Sequence, residues 1–116
     1  MSTAQAQPNA EFDALIEILR WLKGDAPVFT VTGEQGTGKS RLARNVAEHW
    51  SGGHTTLTTA DQVARSQAHL RGRDLVIVDE CDGSTPAVPI GRRTLFFGTP
   101  GAFTNPNIEL PSRNRP

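Results

Sequence analysis

The sequence predicts an α/β fold in which a parallel sheet carries helices on both faces. Two observations lead there. Short apolar or β-branched runs alternate with segments of helical period. One of those runs, LVIVDE (75–80), opens with four consecutive apolar residues, the pattern of a strand covered on both sides. The length of 116 residues fits one domain with a single core of modest size.

In chain order, residues 1–9 are small and polar and read as a disordered tail, followed by a core over 10–112 and a C-terminal tail over 113–116. Phe12, Leu15, Ile16, Leu19 and Leu22 recur at helical spacing, so a helix is expected over 10–23, ended by Gly24 and Pro27. VFTVT (28–32) is a short buried strand. A glycine-rich loop follows, then a helix from Lys39 with Leu42, Ala43, Val46, Ala47 and Trp50 on one face, stopped by Gly52-Gly53.

HTTLT (54–58) reads as a second strand. The next segment is a helix with Thr59 and Gln62 placed for a capping box. LVIVDE and TLFFGT (94–99) are strands that end in acids or small polar residues. Beyond Gly98 the chain is rich in Pro and Asn, with one short strand near Ile108–Leu110.

Twelve basic and twelve acidic residues cancel, so overall charge announces neither a nucleic-acid nor a membrane partner. Ten of the twelve bases are arginine, and four of these (Arg92, Arg93, Arg113, Arg115) follow Gly91 against one acid, Glu109. A single cysteine, Cys81, excludes an internal disulfide and a multi-cysteine metal site. No apolar run approaches the ~20 residues of a membrane span, and the expected setting is soluble and cytoplasmic.

The chemistry concentrates in two stretches. Gly33-Glu34-Gln35-Gly36-Thr37-Gly38-Lys39-Ser40 fits G-x-x-x-x-G-K-[ST] in full, after a strand and before a helix. Glycines let successive backbone N–H groups turn inward onto phosphate oxygens, and the helix N-terminus adds its positive dipole end. Lys39 is placed to reach the β- and γ-phosphates, and the Ser40 hydroxyl to ligate Mg²⁺, with Arg41 next in line. In LVIVDECD, Asp79 stands at the C-terminal end of a strand, where open α/β sheets bind ligands, and suits a water-mediated hold on Mg²⁺. Glu80, on the other side of the strand, suits a base that polarises the attacking water. Asp79 comes 39 residues after Ser40, with one strand and one helix between.

These two stretches resemble the Walker A and Walker B elements of a P-loop NTPase. The Asp-Glu pair resembles the branch with an additional strand and a catalytic glutamate, closest to a minimal AAA+ or RecA-like core. The resemblance implies a three-layer core with sheet order 5-1-4-3-2, ATP and Mg²⁺, and a homo-oligomer acting on DNA or a nucleoprotein complex. It also places Thr99, after TLFFG, as a sensor near the γ-phosphate, and Arg113, in NIELPSR, as an arginine finger for a neighbouring copy. Arg92 and Arg93 are alternatives for the finger, or for contact with a nucleic-acid backbone.

Two departures from the family stand out. Residues 81–93, CDGSTPAVPIGRR, lack a helical period where the family has a helix, and the chain ends where a helical lid would begin. The expected activity is therefore Mg²⁺-dependent ATP hydrolysis. The alternative is an ATP-switched interaction module with little turnover. A small-molecule kinase is disfavoured, because a chain this short is expected to lack an acceptor pocket. DECD also matches a helicase box, but such helicases need a second RecA-like domain. Cys81 reads as a small buried residue, and His49, His54 and His69 have no metal-ligand spacing.

Overall fold

The computed structural model describes residues 6–50 and 54–111. Its elements are α1 (Ala6–Leu22), β1 (Val28–Thr32), α2 (Lys39–His49), β2 (Thr55–Thr59), α3 (Ala60–Leu70), β3 (Leu75–Cys81), β4 (Arg93–Gly98) and β5 (Ile108–Glu109). The five strands form one sheet in the order β2-β3-β4-β1-β5, which from the β5 edge reads 5-1-4-3-2. Every ladder is parallel. All strands therefore end at the same edge, and so do the loops that carry the candidate site.

The alternation of side chains divides the core in two. Phe29, Val31, Leu75, Ile77, Leu95 and Phe97 point to one face and pack under α1 and α2. Val76, Val78 and Phe96 point to the other, where Leu70 and Val63 of α3 join Ile90 of the β3–β4 connection. Residues 82–92 carry no helix, so this parallel crossover is made by turns and extended chain.

Helix α1 begins at Ala6, four residues before the expected start, and its buried stripe differs from the predicted one. Ala14, Leu15, Ile18, Trp21 and Leu22 face the core, whereas Phe12 is 60% and Ile16 38% exposed. Trp21 decides the orientation. Its ring packs on Phe29 at 5.4 Å and its indole N–H donates to the Ala26 carbonyl at 2.7 Å. The α2 face follows expectation, with Leu42, Ala43 and Val46 buried and Ala47 and Trp50 partly so. Gly52-Gly53 lies outside the described residues.

Thr59 caps α3, its hydroxyl accepting from the Gln62 N–H at 3.3 Å, and Ser66 interrupts the helical dihedrals midway. Strand β5 is held by a side chain acting as backbone. Asn107 Oδ1 accepts from the Thr30 N–H at 2.8 Å, and the Asn107 N–H donates to Thr30 Oγ1 at 3.0 Å. Among the described residues, no helix is long and apolar enough to cross a membrane.

Candidate functional site

Strand β1 delivers the chain into the glycine loop at the C-terminal edge of the sheet. A β-turn closes it, with the Thr37 N–H and hydroxyl both bonded to the Glu34 carbonyl, at 3.2 and 2.7 Å. Gly33 is required there, because a Cβ would lie 2.7 Å from Thr37 Oγ1 and 3.1 Å from the Leu110 Cβ. Gly38 sits at φ 92° as the N-cap of α2, in the left-handed region that disfavours a side chain. The first turn of α2 thus opens with Lys39 and Ser40 at its positive end.

Lys39 bridges two strand ends. Its ammonium donates to the Gly33 carbonyl at 2.5 Å and the Gly98 carbonyl at 3.3 Å, while the Gly33 N–H bonds the same Gly98 oxygen at 3.0 Å. The lysine is therefore held between the loop that follows β1 and the end of β4.

On β3 the acids stand at a bulge. Val78 pairs with Phe96 and Cys81 with Gly98, so β3 spends one residue more than β4 over the same interval. Glu80 absorbs the irregularity at φ 59°, a left-handed backbone in a non-glycine residue that costs ~1–3 kcal/mol. Its N–H donates to Asp79 Oδ1 at 2.7 Å, which orients that carboxylate.

These pieces meet in one cavity of about 510 Å³, lined by Gln35, Lys39, Ser40, Asp79, Glu80, Cys81, Asp82, Gly98 and Thr99. A cleft of about 390 Å³ also carries Gln35, Lys39 and Ser40, and adds Gly36, Gly38, Arg41 and Arg44. The structure therefore brings Gln35, Lys39 and Ser40 together with Asp79, Glu80 and Thr99. Gly36, Gly38 and Arg41 lie in the adjoining cleft.

Other predicted residues stand elsewhere. Gly33 and Glu34 line a separate hollow with Pro100 and Phe103. The Thr37 side chain is buried and bonded within the loop. Arg93 begins β4, at the opposite edge of the sheet, with Arg92 just before it. Arg92 lies 3.7 Å from Asp74, and the Arg93 guanidinium is bonded to the Gly24 carbonyl. Arg113 lies outside the described residues.

Two residues at the loop escaped the sequence reading. Glu11 of α1 reaches the position that a Gly38 Cβ would take, its Oε1 3.7 Å from Arg41 and its Oε2 buried without a hydrogen-bond partner. Its signal was an acid in register with Leu15 and Ile18 on the buried face. Arg44, one turn after Ser40, shares the cleft.

Electrostatics separates the neighbours of the dyad. Burial, reinforced by the Asp79 charge, pushes the Cys81 thiol up to about 12, so it remains protonated and inert. The Ser84 hydroxyl and N–H bonded to Asp82 hold that carboxyl below the usual range. No group of three or more His, Cys, Asp or Glu among the described residues could hold a metal. Ser40 and Asp79 together still offer two oxygen ligands in one cavity, a set that fits Mg²⁺, which retains water and takes substrate oxygens for the rest.

No protein-family model matches the chain, and neither the curated proteins nor the solved structures contain a match.

Proposed function

We propose that the chain is the core of a Mg²⁺-dependent ATPase of P-loop type, with the three-layer architecture of that class. The observation that carries this reading is the single cavity shared by Lys39 and Ser40, from the start of α2, with Asp79, Glu80 and Thr99, from the ends of β3 and β4. The sheet order and the helix contributions to both faces of the sheet agree with it.

In this mechanism the triphosphate lies along the loop, its terminal group against Lys39 and its inner phosphates toward Arg41 and Arg44. Lys39 balances charge on the β- and γ-oxygens, and the N-terminal amides of α2 add their dipole. Ser40 and Asp79 would hold Mg²⁺, which would supply neutralisation of the phosphate charge. Glu80 orients a water in line with the γ-phosphorus and accepts its proton, and the Thr99 hydroxyl fixes that water or a γ-oxygen. Arg113 of a neighbouring copy would complete the charge stabilisation in a homo-oligomer acting on DNA or a nucleoprotein complex.

The experiment is Glu80→Gln, followed by phosphate release and by binding of a fluorescent ATP analogue. Turnover is expected to fall ~100-fold or more with nucleotide affinity retained. Wild-type turnover in this variant would remove Glu80 as the base.

A second reading, an ATP-switched interaction module with little turnover, draws on the exposure of Glu80, which faces a second cavity as well as the phosphate side. Specific activity measured over a range of protein concentrations separates the two. It rises for an oligomeric ATPase and stays near zero for the module.

A further inference from the structure

A second cavity, of about 530 Å³, lies under the β3–β4 crossover. It exists because that crossover has no helix. Residues 82–92 arch over Val78 and Phe96 while α3 covers only part of the same face.

The chemistry of the cavity is uneven. Val63, Val78, Ile90 and Phe96 provide an apolar floor. Asp61, Glu80 and Asp82 add three carboxylates, and no Lys, Arg or His is among the lining residues. Asp61 is only loosely engaged by Arg65, at 3.6 Å with both side chains largely exposed. Asp82 accepts from Ser84 through Oδ1 alone. Such a volume suits a small organic ligand. An anion would meet three like charges here, whereas a cation with a compact apolar body finds both its halves matched.

Glu80 connects this cavity to the candidate active site, because it lines both. Its left-handed backbone at the bulge is what sets it on the partition.

We propose that this cavity binds a small organic cation, with its apolar body on Val63, Val78 and Phe96 and its ammonium paired with Glu80, and that occupancy restrains the neighbouring hydrolytic step. The binding half stands on the cavity alone; the restraint rests on the hydrolytic reading above. A bound ammonium draws the Glu80 carboxylate toward the crossover side, away from the water it would orient in the neighbouring cavity.

The test uses the full chain and 2-phenylethylammonium as probe, with neutral 2-phenylethanol as its isostere. Methyl NMR is expected to give saturable shifts confined to Val63, Val78, Val88 and Ile90. The alcohol should bind about fivefold more weakly, and Glu80→Gln should weaken the amine by a similar factor while leaving the alcohol unchanged. Ala64→Trp, at an exposed α3 position on the cavity wall, should abolish amine binding while preserving amine-free phosphate release. In the wild type the amine should slow phosphate release at least twofold, and in Ala64→Trp it should not. Equal affinity for amine and alcohol, or shifts spread over both faces of the sheet, would overturn the site. Confined amine binding in a chain that releases no phosphate would support the site and sink the hydrolytic reading. Hydrolysis without amine binding would do the reverse.

Discussion

The two faces of the sheet are built by different means. Under α1 and α2, long apolar side chains interlock, and Val31, Leu42, Val46, Leu75, Leu95 and Phe97 are fully enclosed. On the opposite face β1 presents Thr30 and Thr32, and β4 presents Thr94, where the first face has Phe29, Val31 and Leu95. Two of these threonines tie down irregular chain. Thr94 accepts from the Ile90 N–H at 2.9 Å, and Thr30 is clasped by Asn107. Both faces remove apolar area from water. The second does so with a smaller cluster around Val76, Val78 and Phe96 and adds hydrogen bonds that hold connections across the sheet. The second arrangement leaves space, and the 530 Å³ cavity is that space.

The contrast can be broken by mutation. Phe97→Ala on the closed face is expected to cost ~3–5 kcal/mol in urea unfolding, against well under ~1 kcal/mol for the half-exposed Val88→Ala beside the cavity. Similar losses at both positions would mean that the open face packs as tightly as the closed one. Asn107→Ala should cost ~1–3 kcal/mol, because it leaves the Thr30 N–H without its partner. Little change in the unfolding midpoint would show that water replaces the clasp.

At the partition between the two cavities, Glu80→Gly should raise stability by ~1 kcal/mol through relief of its positive φ, while phosphate release is lost. A less stable Glu80→Gly variant would mean that the glutamate side chain outweighs the strain of its backbone. The smallest effect concerns Cys81. Its thiol sits near 12 in the fold against 9.0 when unfolded, so between those values the native state binds more protons. Stability should be unaffected by this group below pH 9 and should fall as pH rises from 9 toward 12. Cys81→Ala, compared with wild type over that range, should flatten the fall. Rapid labelling of the native thiol at pH 8 would contradict its burial.

The strands were legible because their apolar runs are short and bounded by glycine, proline or acids. The glycine loop was legible because its residue types are dictated by backbone geometry. The α1 stripe was not. Its buried side includes Glu11 and the small Ala14, while the exposed side carries Phe12 and Ile16, so hydrophobicity alone selects the wrong face. Nor was the bulge at Asp79-Glu80, since LVIVDEC reads as an unbroken strand and the extra residue appears only against β4. Cavity and partition depend on pairing and on the path of the crossover, which no local pattern encodes.

The Asn107 clasp has a consequence for how the chain is made. It joins positions 77 residues apart, and no ladder among the described residues is a hairpin. The sheet cannot be assembled by local zippering, so loop-closure entropy precedes each pairing and folding should be slow for a protein of this length. During synthesis β1 emerges well before its sheet neighbours β4 and β5. Until they arrive, VFTVT is an apolar strand with two open edges, a window in which a nascent chain is exposed to aggregation and would benefit from a chaperone.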